Sequence, residues 1–362
     1  MNSRVNSATM SADPGAPPAP LRLTLDREAL ANNWRALDAL SGTARAGAAV
    51  KADAYGIGAR RAVEVLRGAG ASDFFVAHWD EAEAILGLVD PAAIAVLHGA
   101  RNAEEAAWAR ASGVRPVINS LGQARVWLDS GGGPCHLMFD SGINRLGLPA
   151  GSLGDEMVGR LDIDILMSHL ASAEEDSPLN EVQRQRWDAA RGVVRHRRAS
   201  LSNSAGIALG SAYHGDLTRP GLALYGGVPC PKLAGHIRQV VRPEAALIQV
   251  RDIAAGETVG YNATFAAPAA MRIGVIALGY ADGFLRCWSG AGRASVASGA
   301  MRAVLPVLGR VSMDMTVIDL SAAPTLREGD WVELEYVLPE AARVTGLSQY
   351  ELLTLLGKRF SR

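Results

Sequence analysis

Lys51 closes the apolar run AAVK and is followed by ADAYG. A lysine at a buried strand end is suited to a Schiff base with a carbonyl, because desolvation disfavours the ammonium and frees the amine. Further along, Arg145 lies in FDSGINRLG, His169 in MSHLAS, Asn203 and Ser204 in LSNSAGI, and Arg219 in LTRPG. Taken singly, each is an ordinary loop residue, and Ser204 before AGIALG reads equally well as a helix cap. Ser204 at a helix start and Gly221 in a later glycine-containing strand exit also have the make-up of a phosphate cradle, formed by amides and a hydroxyl. A Schiff-base lysine beside such a cradle points to pyridoxal phosphate.

That chemistry requires one rim on which these side chains meet, and the pattern of elements supplies it. LRLTL (21–25) alternates like a strand, and Asp26 caps an amphipathic helix from Arg27 to about Leu40. A unit then repeats: a short apolar strand, a turn and an Ala/Glu/Arg-rich helix. The strands are expected at 46–51, 73–77, 93–97, 115–119, 136–140, 164–169, 199–203 and 217–219, the last being the weakest pattern. Such alternation predicts an α/β fold, a parallel (β/α)8 TIM-type barrel over 21–238 whose active site lies at the C-terminal strand ends. Lys51, Arg145, His169, Ser204 and Arg219 all fall at such ends. Beyond about Arg238 the texture becomes β-rich, and a C-terminal mainly β domain is expected over 239–362, with strand 21–25 able to pair with it.

Composition narrows the function classes. The 362 residues carry 36 basic and 37 acidic side chains, a net charge of −1, so there is no electrostatic footprint for nucleic acid or an anionic membrane. Cys135, Cys230 and Cys287 are far apart and read as reduced core or surface residues. No metal-ligand spacing is present, and the acidic run Glu174, Glu175 and Asp176 reads as a solvated loop. Residues 1–20, rich in Ser, Ala and Pro, lack the apolar region of a signal peptide and read as a disordered leader on a soluble cytoplasmic protein.

The ordered blocks AAVKADAYGIG, FDSGINRLG, SHLASAEE, LSNSAGI, TRPGLALYGG, VGYNATF, LGYADGF and GRVSMDMTVIDL resemble the signature blocks of alanine racemases, from about Leu21 to the end. The resemblance implies a homodimer with shared active sites and pyridoxal 5'-phosphate as cofactor. It implies that Lys51 carries the cofactor and is the base on the D-alanine face. Tyr261, reaching in from the partner subunit, would be the base on the L-alanine face. Tyr55, Ser204, Gly221 and Leu222 would hold the phosphate, His169 would lie near the ring, and Arg219 would face the pyridine nitrogen. Arg145 and the backbone of Met313 would hold the substrate carboxylate. Two bases on opposite faces of a flat cofactor meet the geometric demand of racemisation.

The chain also departs from the family. Many members carry a carbamylated lysine where Met138 stands, so Arg145 needs another means of orientation. Ile57 replaces a histidine, and a family tyrosine that touches the phosphate aligns loosely with Lys358. The alternatives are a serine or broad-specificity racemase, and a pyridoxal-phosphate-dependent decarboxylase of basic amino acids on the same architecture. Methyl-versus-hydroxymethyl discrimination rests on pocket size and is worth only a few kcal/mol.

Overall fold

The computed structural model describes residues 17–298 and 301–361. The leader expected over residues 1–20 lies outside the described residues up to residue 16. Eight short parallel strands follow one another: Arg45–Ala46 continuing as Ala48–Ala49, Phe74–Val76, Ile94–Val96, Arg115–Ile118, Pro134–Met138, Asp162–Met167, Arg198–Ser200 and Leu217–Thr218. They are almost wholly buried, as strands covered on both faces must be.

From Ala48–Ala49 to Arg198–Ser200 the strands form one continuous parallel sheet. The pair Leu217–Thr218 closes it, with Leu217 opposite Arg45 and Thr218 opposite Ala46. Asp216 N donates to Ala199 O and Arg219 N to Ser202 O, each at 2.8 Å, which ties that strand to its other neighbour. Gly47 stands between the two halves of the first strand, where a Cβ would lie 2.9 Å from both Asp73 O and the Phe75 ring.

The second unit is antiparallel. Val241–Ile253, Met271–Ile276, Thr316–Asp319, Met301–Leu308, Arg293–Ser298 and Trp331–Leu334 pair in that order, and the last returns to the first. Strand Leu21–Leu25 adds to the long strand Val241–Ile253, Leu21 opposite Ala245, so the chain begins in the β unit before entering the barrel. Its alternating burial matches a strand with one face on the core. Helix Arg27–Leu40 then starts under an Asp26 cap, whose carboxylate accepts from Ala29 N at 2.9 Å. From that helix, buried Asn33 donates to Leu224 O and Arg238 O and accepts from Arg238 N, pinning the segment where the barrel ends.

Candidate active site

A cavity of about 410 Å³ opens among the C-terminal strand ends. Lys51, Tyr55, Arg145, His169, Ser204, Arg219, Gly221 and Leu222 all line it, together with Asn203. Three of the lining side chains are cationic and none is a carboxylate. A concave site of that charge favours an anionic occupant.

Lys51 follows directly on the first barrel strand, and the chain then takes an unusual path. Ala52, Asp53, Ala54 and Tyr55 have φ of 53°, 53°, 54° and 58°, a full left-handed turn built without glycine. Such residues cost roughly 1–2 kcal/mol each, so surrounding contacts must over-determine the turn. Asp53 Oδ1 accepts from Ala59 N at 2.7 Å, Gly58 N donates to Asp53 O at 2.9 Å, and Ala54 N donates to Val50 O at 2.8 Å. Ala52 N donates to Glu81 Oε1 at 2.6 Å. The turn sends Lys51 and Tyr55 to the same cavity.

Electrostatics shift Lys51 toward the free amine. Burial, then Arg145 and Arg219, hold the Lys51 ammonium below the ordinary lysine range, while Glu81 opposes them. His169 is pushed down to about 3, first by burial and then by Arg219, Arg145 and Lys51, so it is neutral at physiological pH. It is half-buried and lines the cavity. Burial lowers Arg219 to about 10, which leaves it a cation. Arg219 donates to Ser200 Oγ and to the carbonyls of Ser168 and Leu201, and among the described residues no carboxylate pairs with it.

In the same cavity, Ser204 Oγ accepts from Gly221 N at 3.0 Å and Ala223 N at 3.2 Å, so the two predicted cradle elements are joined. A Cβ on Gly221 would stand 2.1 Å from Tyr55 Oη, which makes glycine a steric requirement. Burial raises the Tyr55 phenol above the usual tyrosine range, keeping it a neutral donor. The loop carrying Arg145 is held at its base, where Asp140 Oδ1 accepts from the amides of Gly142, Ile143 and Asn144. Buried Met138 ends the strand beneath it and offers no ionic contact.

Two predicted site residues are not in this cavity. Tyr261 is 64% exposed and Met313 54% exposed, both on the β unit. The segments leading into their turns approach each other, since a Cβ on Gly309 would meet Val259 O at 2.7 Å. Arg359 braces the second turn through Asp282 Oδ1 and Asp314 Oδ1. Tyr261 and Met313 are thus both presented at the surface of the β unit.

Lys358 is exposed and lines no part of the cavity; Tyr350 and Thr354 do. Both belong to helix Gln349–Thr354, which Ser348 and Glu351 start with a capping box. The S-x-x-E spacing was the sequence signal for it, and a helix there puts positions 350 and 354 on one face. Tyr350 Oη donates to Glu174 Oε1 at 2.8 Å, so the acidic run expected to be merely solvated touches a cavity residue.

Residues 25–229 match the model of the alanine racemase N-terminal domain and residues 240–362 that of its C-terminal domain. The chain belongs to the alanine racemase family. It is 40% identical to the biosynthetic alanine racemase of Agrobacterium fabrum, over 95% of this chain and 93% of that one. It is 41% identical to the alanine racemase of Methylobacterium nodulans, over 94% and 95% of the two chains. Among solved structures, the Bartonella henselae alanine racemase with covalently bound pyridoxal phosphate superposes with a TM-score of 0.85 at 33% identity, covering 95% of this chain and 99% of that one. The biosynthetic alanine racemase of Pseudomonas aeruginosa gives 0.83 at 36% identity, covering 95% and 99%.

Proposed function

We propose that this chain interconverts L-alanine and D-alanine by a two-base mechanism, with pyridoxal 5'-phosphate held on Lys51. The observation that carries the reading is the acid-free cavity that a desolvated Lys51 shares with Arg145, Arg219 and the Ser204–Gly221 cradle. The residues fit the cofactor: Gly221 leaves room that a Cβ would fill, and the cationic lining suits a phosphate. Ser204, Gly221, Leu222, Tyr55 and Tyr350 would hold the phosphate, His169 would lie along the ring, and Arg219 would face the ring nitrogen. Bound there, pyridoxal phosphate supplies a carbonyl for covalent attachment and an electron sink for the pair left by α-proton removal.

Lys51 Nζ, shifted toward the free amine by burial and two guanidiniums, would take or return the α-proton on one face. Arg219 remains a cation at neutral pH; facing the ring nitrogen it could not take a proton from it, and so would leave the ring neutral and the electron sink restrained. Neutral His169 adds bulk and a hydrogen-bonding edge without adding charge. Arg145 at the cavity mouth would pair with the substrate carboxylate. The second base would be Tyr261 of a partner subunit in a homodimer, with the Met313 amide beside it; the exposure of both side chains on the β unit supports that arrangement. We place the enzyme in the cytoplasm, supplying D-alanine for peptidoglycan; among the described residues no helix is long and apolar enough to cross a membrane.

Racemisation assays on alanine, serine, arginine and lysine test the reading, together with borohydride reduction and peptide mapping. Alanine should be the preferred substrate and the cofactor should map to Lys51. A reduced adduct on another lysine, or turnover of serine above alanine, would overturn the respective part.

A further inference from the structure

Glu81 is the third residue of helix Trp79–Ile85, and its ordinary duty there is a cap. One oxygen performs that duty: Oε2 accepts from Ala77 N at 2.6 Å and His78 N at 3.3 Å. The other oxygen leaves the helix. Oε1 accepts from Ala52 N at 2.6 Å, the first amide after Lys51 and the first residue of the left-handed turn. A carboxylate can serve both sets of donors at once because both its oxygens accept. The half-buried side chain therefore joins the exit of the second barrel strand to the strained exit of the first.

We propose that Glu81 is a positioning residue for Lys51: its carboxylate locks the left-handed turn that aims the amine and stands a negative charge among the cations around it. The inference rests on the reading of Lys51 as the cofactor lysine. The groups that face Lys51 are Arg145 from the fifth strand's loop, Arg219 from the eighth strand's end and Glu81 from the helix after the second. His169 and His98, at the ends of the sixth and third strands, feel the Lys51 charge in turn. Of these, Glu81 alone is an acid, and it raises the Lys51 pKa against burial and the two arginines. Removing its charge must therefore extend the range of the free amine to lower pH, while loss of the Ala52 contact misdirects that amine.

Glu81→Gln separates this role from plain capping. The amide oxygen can accept from Ala52 N or from the Ala77 and His78 amides, and its NH2 group opposes whichever donor remains. Glu105 provides the control: it supports the next helix through Arg101 N at 2.7 Å and lines no part of the cavity. Two quantities are measured on the full-length protein: racemisation against pH, and the yellow absorbance of covalently attached pyridoxal phosphate when apoprotein is reconstituted across pH. In Glu81→Gln the rate should fall by roughly ten- to a hundredfold, and the acid limb of both profiles should move to lower pH. Glu105→Gln should lose helix stability and change neither profile. Should Glu81→Gln fail to fold, Glu81→Asp is read instead. It keeps the charge but not the reach, so the rate should fall with the acid limb near its wild-type position. An unchanged rate and acid limb in Glu81→Gln, or an unchanged rate in Glu81→Asp, would reduce Glu81 to a helix cap and overturn the proposal. Covalent attachment persisting in Lys51→Ala would instead sink the Lys51 reading itself.

Discussion

Gly221→Ala perturbs the cradle by a single methyl group whose collisions are known. The new Cβ would lie 2.1 Å from Tyr55 Oη, 2.9 Å from Tyr55 Cζ and 3.4 Å from Ala49 Cβ. Gly221 has φ −131°, so alanine meets no left-handed penalty and the cost is steric alone. Relief requires one of two movements. Tyr55 can leave the Tyr225 ring, which it packs against at 4.8 Å between centroids, or Gly221 N can leave Ser204 Oγ at 3.0 Å. Overpacking of this kind costs typically ~1–3 kcal/mol, equivalent to about a 5- to 150-fold loss if it falls wholly on the bound state. The assay is titration of apoprotein with pyridoxal phosphate, read by absorbance, alongside thermal unfolding. Gly221→Ala should weaken binding within that range and lower Tm. Adding Tyr55→Phe deletes the atom at 2.1 Å and should restore part of the lost stability, the ring carbon at 2.9 Å still interfering. Unchanged affinity and Tm in Gly221→Ala, or no recovery of Tm in the double variant, would refute the steric argument.

Two further outcomes follow from the buried groups. His136 and His169 are held near about 3 by burial, against an ordinary 6.5. The unfolded chain takes up those protons below 6.5 and the folded chain does not, so their contribution is intact above 6.5 and lost as pH falls toward 3. Urea unfolding between pH 7.5 and 5.5 should show a decline approaching ~1.4 kcal/mol per unit per histidine. His136→Gln should remove about one proton from that slope; an unaltered slope contradicts the assignment. Because Met138 cannot carry a carbamate, activity at fixed pH should be indifferent to added bicarbonate, and a clear rise with carbon dioxide would contradict this.

The barrel was legible because its strands are fully covered and therefore read as short apolar runs between helical periods; DFFVA and DILMSH are examples. The eighth strand was faint for a physical reason: only Leu217 and Thr218 pair, and side-chain and loop bonds through Ser200 and Asp216 complete the seam. The β unit was legible as a texture, but not its closure, since the return of Trp331–Leu334 to Val241–Ile253 is a non-local pairing. Site residues at strand ends could be placed because the fold fixes where strand ends meet. Tyr350 could not be placed by loose alignment to Lys358, although the Ser348–Glu351 spacing marked its helix. The left-handed turn over residues 52–55 has no local signature at all: Ala and Tyr disfavour it, and besides local bonds to Val50 and Asp53 it is held by Glu81, which comes from a different strand exit.

The central claim is that each active site takes Lys51 from one chain and Tyr261 from the other. Lys51→Ala and Tyr261→Phe are prepared separately, and each homodimer should be nearly inactive, since losing a general base costs roughly 100- to 10,000-fold. Exchange of subunits at equal concentration makes half the dimers hybrids, each with one doubly defective site and one intact site. Two-fold symmetry then predicts recovery of about a quarter of wild-type activity. Verified hybrids that recover nothing would contradict the account, placing Tyr261 within its own chain or outside the reaction.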